Sequence, residues 1–205
     1  MQPDHDNRNN LSPEQGQSLV ELARQTLMER LGQQVPQSKI DALNAALKDP
    51  CFQMACGTFV TLKISGQLRG CIGNLASNET PLSGIRRNAV NAAFHDPRFA
   101  PLRAAELDRV EIEVSILSEP KPLSYHDGAD LLKKLRPGVD GVTIGLGHAS
   151  ATFLPQVWEQ LPEPQDFLAH LCMKAGLAAE AWEKHRLEVS TYQVQHFEEH
   201  QWSQG

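Results

Sequence analysis

No apolar run in this sequence approaches the roughly 18 residues that would suggest a membrane span. Its opening, MQPDHDNRNNLSPEQ, lacks the charged-then-apolar architecture of a secretory signal, so a cytoplasmic protein is expected. Cysteine is scarce: Cys51, Cys56, Cys71 and Cys172 are irregularly spaced and form no C-x-x-C pair, which argues against a disulfide framework and leaves free thiols. Eight histidines are present, yet none falls in an H-E-x-x-H pattern, and Cys51 and Cys56 have no matching second pair. No required metal is therefore expected. Nor is a cofactor, since GVDGVTIGLG at 138–147 is glycine-rich without the strand-turn-helix setting of a nucleotide loop. Positive charge is also short, with 19 Lys and Arg against 25 Asp and Glu and a net charge of −6. That balance disfavours general affinity for nucleic acid or anionic lipid.

What is present is an ordinary globular composition, 40% hydrophobic and 21% charged over 205 residues. It suffices for one substantial domain or two small lobes without help from metal or disulfides. Residues 1–11 are polar and read as a disordered tail, 12–200 as the folded domain, and 201–205 as a second tail. Ser12-Pro13-Glu14-Gln15 is a capping-box start for a helix striped by Leu19, Leu22, Ala23, Leu27 and Leu31 and stopped at Gly32. A shorter helix runs through Ile40, Leu43 and Leu47. At 57 the period changes to two, and Ser65-Gly66 turns the strand into a hairpin. Thr80-Pro81 caps a helix that ends at HDPRF, and RVEIEVSIL at 109–117 is the clearest strand.

Further on, the pattern predicts a short helix near 127–135, a strand near 141–146, a helix in PQDFLAHLCMKAG and one final strand over about 187–195. Helices and antiparallel-looking strands without a regular β-α-β rhythm give an α+β fold. No repeat or Gly/Ser linker marks a boundary between lobes.

The chemistry concentrates in GQLRGCIG at 66–73. Regular alternation over the 57–73 hairpin buries Val60, Leu62, Ile64, Leu68 and Ile72, and places Arg69 and Cys71 together on the opposite face. An arginine beside a thiol favours the nucleophilic thiolate, and Gly70 and Gly73 leave space for a ligand to approach. The bland alternative is that the glycines form a bulge and the cysteine is a small buried side chain. In HDPRF, His95 is the nearest candidate base for a cysteine nucleophile, with Asp96 and Arg98 as scaffolding of the site. Glu113 shares a strand face with Glu111 and Ser115, a face that is either plain solvent alternation or a pair of carboxylates near Arg69.

LRGCIG at 68–73 resembles the signature hexapeptide of the AMMECR1 domain family. FVTLK at 59–63, DPRF at 96–99, IEVSIL at 112–117, FLPQV at 153–157 and KAGL at 174–177 resemble the same family's blocks, in order, over about residues 15–200. The size and acidity are similar to its prokaryotic branch, the A component of the AmmeMemoRadiSam system. The resemblance implies an α+β fold of two intertwined subdomains, with antiparallel sheet flanked by helices and the motif lining an intervening cleft. It implies a Memo-like protein and a radical SAM protein as partners, and it brings Gln156, His148 and Lys174 into matching blocks. The segment GHASAT at 147–152 departs from the pattern, where members often carry another glycine. The expected function is a small-molecule-binding or thiol-dependent catalytic cleft with Cys71, Arg69 and His95 as catalytic residues. Gly70, Gly73, Asp96, Arg98, Glu113 and Gln156 are its expected ligand-binding residues. The alternative is a non-catalytic adaptor, and a nucleic-acid-binding regulator ranks last.

Overall fold

A computed structural model describes residues 10–75 and 78–199. The chain divides into two units: residues up to Leu117 together with those from Gln195 onward, and Ser118–Val194 between them. Two chain crossings therefore separate the units where the sequence shows no linker.

The first unit opens with helix α1, Pro13–Arg30. Its start is the predicted capping box: Gln15 N–H donates to Ser12 Oγ at 3.2 Å, and Ser12 N–H donates to Gln15 Oε1 at 2.8 Å. Leu19, Leu22, Ala23 and Leu27 are completely buried. The predicted tail is shorter at its inner end, because Leu11 N–H donates to Gln195 Oε1 at 2.9 Å and its side chain packs on the core. The rest of that tail, 1–9, and the tail at 201–205 lie outside the described residues. Helix α2, Gln37–Ala46, follows.

Strand β1 (Gly57–Ile64) and strand β2 (Gln67–Asn74) form the predicted hairpin. Ser65 and Gly66 both have positive φ, 52° and 74°, as a two-residue turn matched to strand twist requires. Helix α3, Pro81–Phe94, packs on β1 and β2, and strand β3, Val110–Leu117, pairs with β1 on its other side. Inside, Val60, Leu62, Ile85, Ala89, Ile112 and Val114 form the core with α1. Two buried polar groups satisfy each other there: Asn88 Nδ2 donates to the carbonyl and hydroxyl oxygens of Thr58 at 3.0 and 2.9 Å.

Two expectations need correction. Leu68 is 43% exposed, not buried. The register skips between Leu62, which faces Gly70, and Lys63, which faces Leu68, so Arg69 is left over as the extra residue of a β-bulge. Alternation is thereby broken, and Leu68 falls with Lys63 on the face away from the core. The final strand is also two strands rather than one: β7, Glu188–Tyr192, and β8, Val194–Glu198. Strand β8 completes the first sheet, whose order is β2-β1-β3-β8, while β7 belongs to the second unit. Arg24 pins the chain beyond β8, bonding the Glu199 carboxylate through Nε at 2.8 Å and the Leu107 carbonyl through Nη1 at 2.8 Å.

The second unit has its own sheet, ordered β4-β7-β5-β6, with β4 at Lys121–Pro122, β5 at Gly141–Leu146 and β6 at Ala149–Phe153. Its helices are α4 (Gly128–Lys134), α5 (Pro164–Lys174) and α6 (Ala181–Lys184). Val142, Ile144, Phe167, Leu168, Leu171 and Cys172 make a separate core, where the Trp158 ring stacks on Phe167 with centroids 3.6 Å apart. Among the described residues, no helix is long and apolar enough to cross a membrane.

Candidate functional site

With one face of the first sheet taken by α1 and α3, the opposite face carries the remaining side chains of β1, β2 and β3. Thr61 pairs with Cys71 on one side and with Glu113 on the other, so the three form one row across adjacent strands. The Thr61 hydroxyl donates to Cys71 Sγ at 3.2 Å. Glu113 accepts from Lys63 Nζ at 2.7 Å, and His196 Nδ1 lies 3.3 Å from its other oxygen. The same nitrogen is 3.1 Å from Ser115 Oγ. Nδ1 is thus within hydrogen-bond reach of both side chains. Hydrogen bonding from His196 and then from Lys63 brings the Glu113 carboxyl down to about 2, and Glu113 in turn raises Lys63.

The backbone of Cys71 is held as firmly as its side chain. As the first strand of the sheet order, β2 has one edge without a neighbouring strand among the described residues. There Cys71 N–H donates to Asp96 Oδ2 at 2.9 Å, and the Cys71 carbonyl accepts from Arg98 Nη2 at 3.2 Å. Arg98 also grips Asp96 through Nε at 2.9 Å, Nη2 at 2.7 Å and its own N–H at 3.1 Å. The Asp96 side chain is only 1% exposed, and the Arg98 guanidinium holds its carboxyl well below the usual carboxylate range. Asp96 and Arg98 thus occupy the two groups that another strand would have used.

Arg69 is not the same-face neighbour of the thiol that regular alternation predicts. Released from the ladder by the bulge, its guanidinium bonds Glu106 through Nε at 3.0 Å and Nη2 at 3.3 Å, and lies 6.0 Å from the Phe99 ring centroid. Arg69 draws Glu106 below its ordinary value, helped by the Arg103 N–H. Arg98 is the cation at Cys71. His95 is likewise not bonded to the thiol: it is the exposed C-cap of α3, its N–H bonded to Asn91 O at 2.8 Å, and its ring makes no hydrogen bond among the described residues.

The room expected at Gly70 and Gly73 is filled by the chain itself. A Cβ on Gly70 would lie 2.1 Å from the Ala92 carbonyl oxygen of α3, and one on Gly73 would lie 2.2 Å from the Phe59 ring and 2.4 Å from Thr58 O. These glycines permit close packing; a bulge is present, as the bland alternative expects, but its extra residue is Arg69 and not a glycine, and Cys71 is only partly buried. Gln156 lies in the second unit, in the short 3-10 turn Pro155–Glu159. Lys174, at the end of α5, bonds the Thr152 carbonyl at 3.0 Å and sits over the Phe153 ring. Thr61, Lys63 and His196 are the residues that sequence reasoning passed over. The signal for His196 was alternation in VQHFE, which puts it on one face with Glu198; Glu198 Oε1 is 3.6 Å from Lys63 Nζ.

The sequence model of the AMMECR1 family matches residues 20–197. The chain belongs to the AMMECR1 family. Its relatives include a protein of Methanothermobacter thermautotrophicus, 37% identical over 190 residues, covering 92% of this chain and 96% of the relative. Another, from Methanosarcina barkeri, is 36% identical over 191 residues and covers 92% of each. Among solved structures, the crystal structure of the uncharacterized protein PH0010 from Pyrococcus horikoshii superposes with a TM-score of 0.73 at 30% identity, covering 92% of this chain and 93% of that one. The α+β reading is thereby established, and LRGCIG falls within the AMMECR1 match as part of β2.

Proposed function

We infer that this AMMECR1 protein binds a small molecule on the outer face of its first sheet, with the ligand resting against Cys71. The observation that carries the reading is the row of Cys71, Thr61 and Glu113, flanked by Lys63 and His196, on a sheet face that the core does not use. Sulfhydryl, hydroxyl, carboxylate, ammonium and imidazole groups on neighbouring strands are the few convergent polar groups that a small ligand needs for orientation. Binding is better supported than thiol catalysis. The hydroxyl bonded to Sγ is a poor base, and His196 is on β8, three strands from Cys71 on β2.

A cytoplasmic setting and action alongside a Memo-like protein and a radical SAM protein belong to this proposal through the family resemblance. The test is incubation with a cell metabolite extract, followed by mass spectrometry of species retained or consumed by the wild type and by the Cys71→Ser and Thr61→Val variants. A species retained by the wild type and lost in both variants supports the reading. Retention that neither substitution changes places the ligand elsewhere, and a species consumed only by the wild type would turn the assignment to catalysis.

A further inference from the structure

We propose that Arg98, set in place by Asp96, gives the Cys71 site a preference for a ligand carrying a negative charge, with its anionic group at the guanidinium and its body over the thiol. The proposal rests on the reading of this face as a ligand site, and it assigns the chemical class of what binds there. The Asp96 carboxylate is saturated: it accepts from Cys71 N–H and from the N–H, Nε and Nη2 of Arg98, and its side chain is 1% exposed. Its charge is turned inward. The Arg98 side chain is 53% exposed, and its Nη1 makes no hydrogen bond among the described residues, so the end of this ion pair that meets solvent is the cation. Because Nη2 also bonds the Cys71 carbonyl at 3.2 Å, that cation has a fixed place beside the thiol residue.

The other charged groups near the row do not compete for this role. Lys63 is bonded to Glu113 and lies close to Glu198, which offsets its charge. The Arg69 side chain is 15% exposed and is paired with Glu106, so a ligand arriving from solvent does not meet it. Arg98 acts here as a specificity residue and Asp96 as the residue that positions it.

Paired alkylation of the full-length native protein reads this directly, with Cys71 followed by peptide mapping. Iodoacetate and iodoacetamide deliver similar groups to the sulfur, one anionic and one neutral, so the ratio of their rates reports charge beside the thiol and is insensitive to overall stability. Arg98→Gln should lower that ratio about threefold, the factor expected for one unit charge about 7 Å away in water. Arg98→Lys should keep it within about twofold of the wild type, since the charge stays while the fork is lost. Arg69→Gln should leave it unchanged.

A ratio indifferent to Arg98→Gln, or one that falls equally in Arg69→Gln, overturns the proposal. So does a Cys71 that neither reagent modifies before unfolding. Should Arg98→Gln fail to fold, the wild type alone decides: raising the salt concentration should lower the ratio by screening, and a salt-independent ratio overturns the assignment. None of these readouts needs the natural ligand. Failure here with retained ligand binding removes Arg98 from its role and leaves the binding site standing, whereas the reverse result leaves the charge assignment intact without the ligand.

Discussion

At the residue scale, the chain treats its four thiols differently. Burial, with Asp49 beside it, pushes Cys51 up to about 12; burial, with the Glu79 charge, pushes Cys56 up to about 11; burial also raises Cys172. Such thiols stay protonated and slow at neutral pH. Cys71 is partly exposed and bonded to a hydroxyl, whereas Cys172 is completely buried in the second core. Native-state iodoacetamide should therefore modify Cys71 well before Cys172, which should label only on unfolding; peptide mapping that found the reverse order would show the sheet face to be closed. Glu113 carries a pH dependence. Its folded value of about 2 lies below the ordinary carboxylate value, so its ionised form stabilises the fold at neutral pH and that contribution fades as pH falls from about 4.3 toward 2. Glu113→Gln should cost about 2 kcal/mol at pH 7, a figure reduced for the partial exposure of Lys63 and His196. Urea midpoints should show the gap between variant and wild type narrowing at pH 2.5.

At the element scale, the contact between β2 and α3 is the tightest constraint on the motif. A methyl group on Gly70 meets a helix carbonyl oxygen at 2.1 Å, and neither backbone yields as a flexible side chain would. Gly70→Ala should destabilise by about 3 kcal/mol in urea denaturation, the upper part of the range for overpacking; an alanine that costs nothing would mean that α3 is not seated where it is described. The same contact explains what the sequence could and could not reveal. Capping at Ser12 and Thr80, and the strict period of two in β1 and β3, are local signals, and those elements fall where they predict. The bulge at Arg69 depends on register with β1, a long-range property, and one inserted residue changes which side chains share a face. Cys71 is therefore legible in the sequence as a candidate, while the arginine bonded to its backbone is Arg98 and not the expected Arg69. Thr61 and His196 stayed hidden for a related reason, because they join the site only through cross-strand pairing, and β8 was merged with β7 in a single expected strand.

At the scale of the whole molecule, the two units have separate cores and the chain crosses between them twice, which no change in composition announces. The charge distribution has a more direct consequence. A net charge of −6 could still conceal a basic patch, and binding to a phosphate backbone needs only a local group of cations that release counterions. In this protein many cations are already matched: Lys63 with Glu113, Arg69 with Glu106, Arg87 with Glu79, Arg98 with Asp96, Arg136 with Asp140, and Arg24 with Glu199. A phosphate would compete with the carboxylate already bonded in each pair, so less is gained by contact with a polyanion than an unpaired cation would give. Arg98, with its exposed edge, can accept one small anion but offers no extended track. Binding to random duplex DNA should therefore be weaker than about 1 µM at physiological salt, with a shallow dependence on salt concentration. Fluorescence anisotropy with a labelled duplex over a range of salt concentrations measures both quantities. A submicromolar affinity with a steep salt slope would point to a basic surface outside these pairs, and it would restore the nucleic-acid regulator over the small-molecule site.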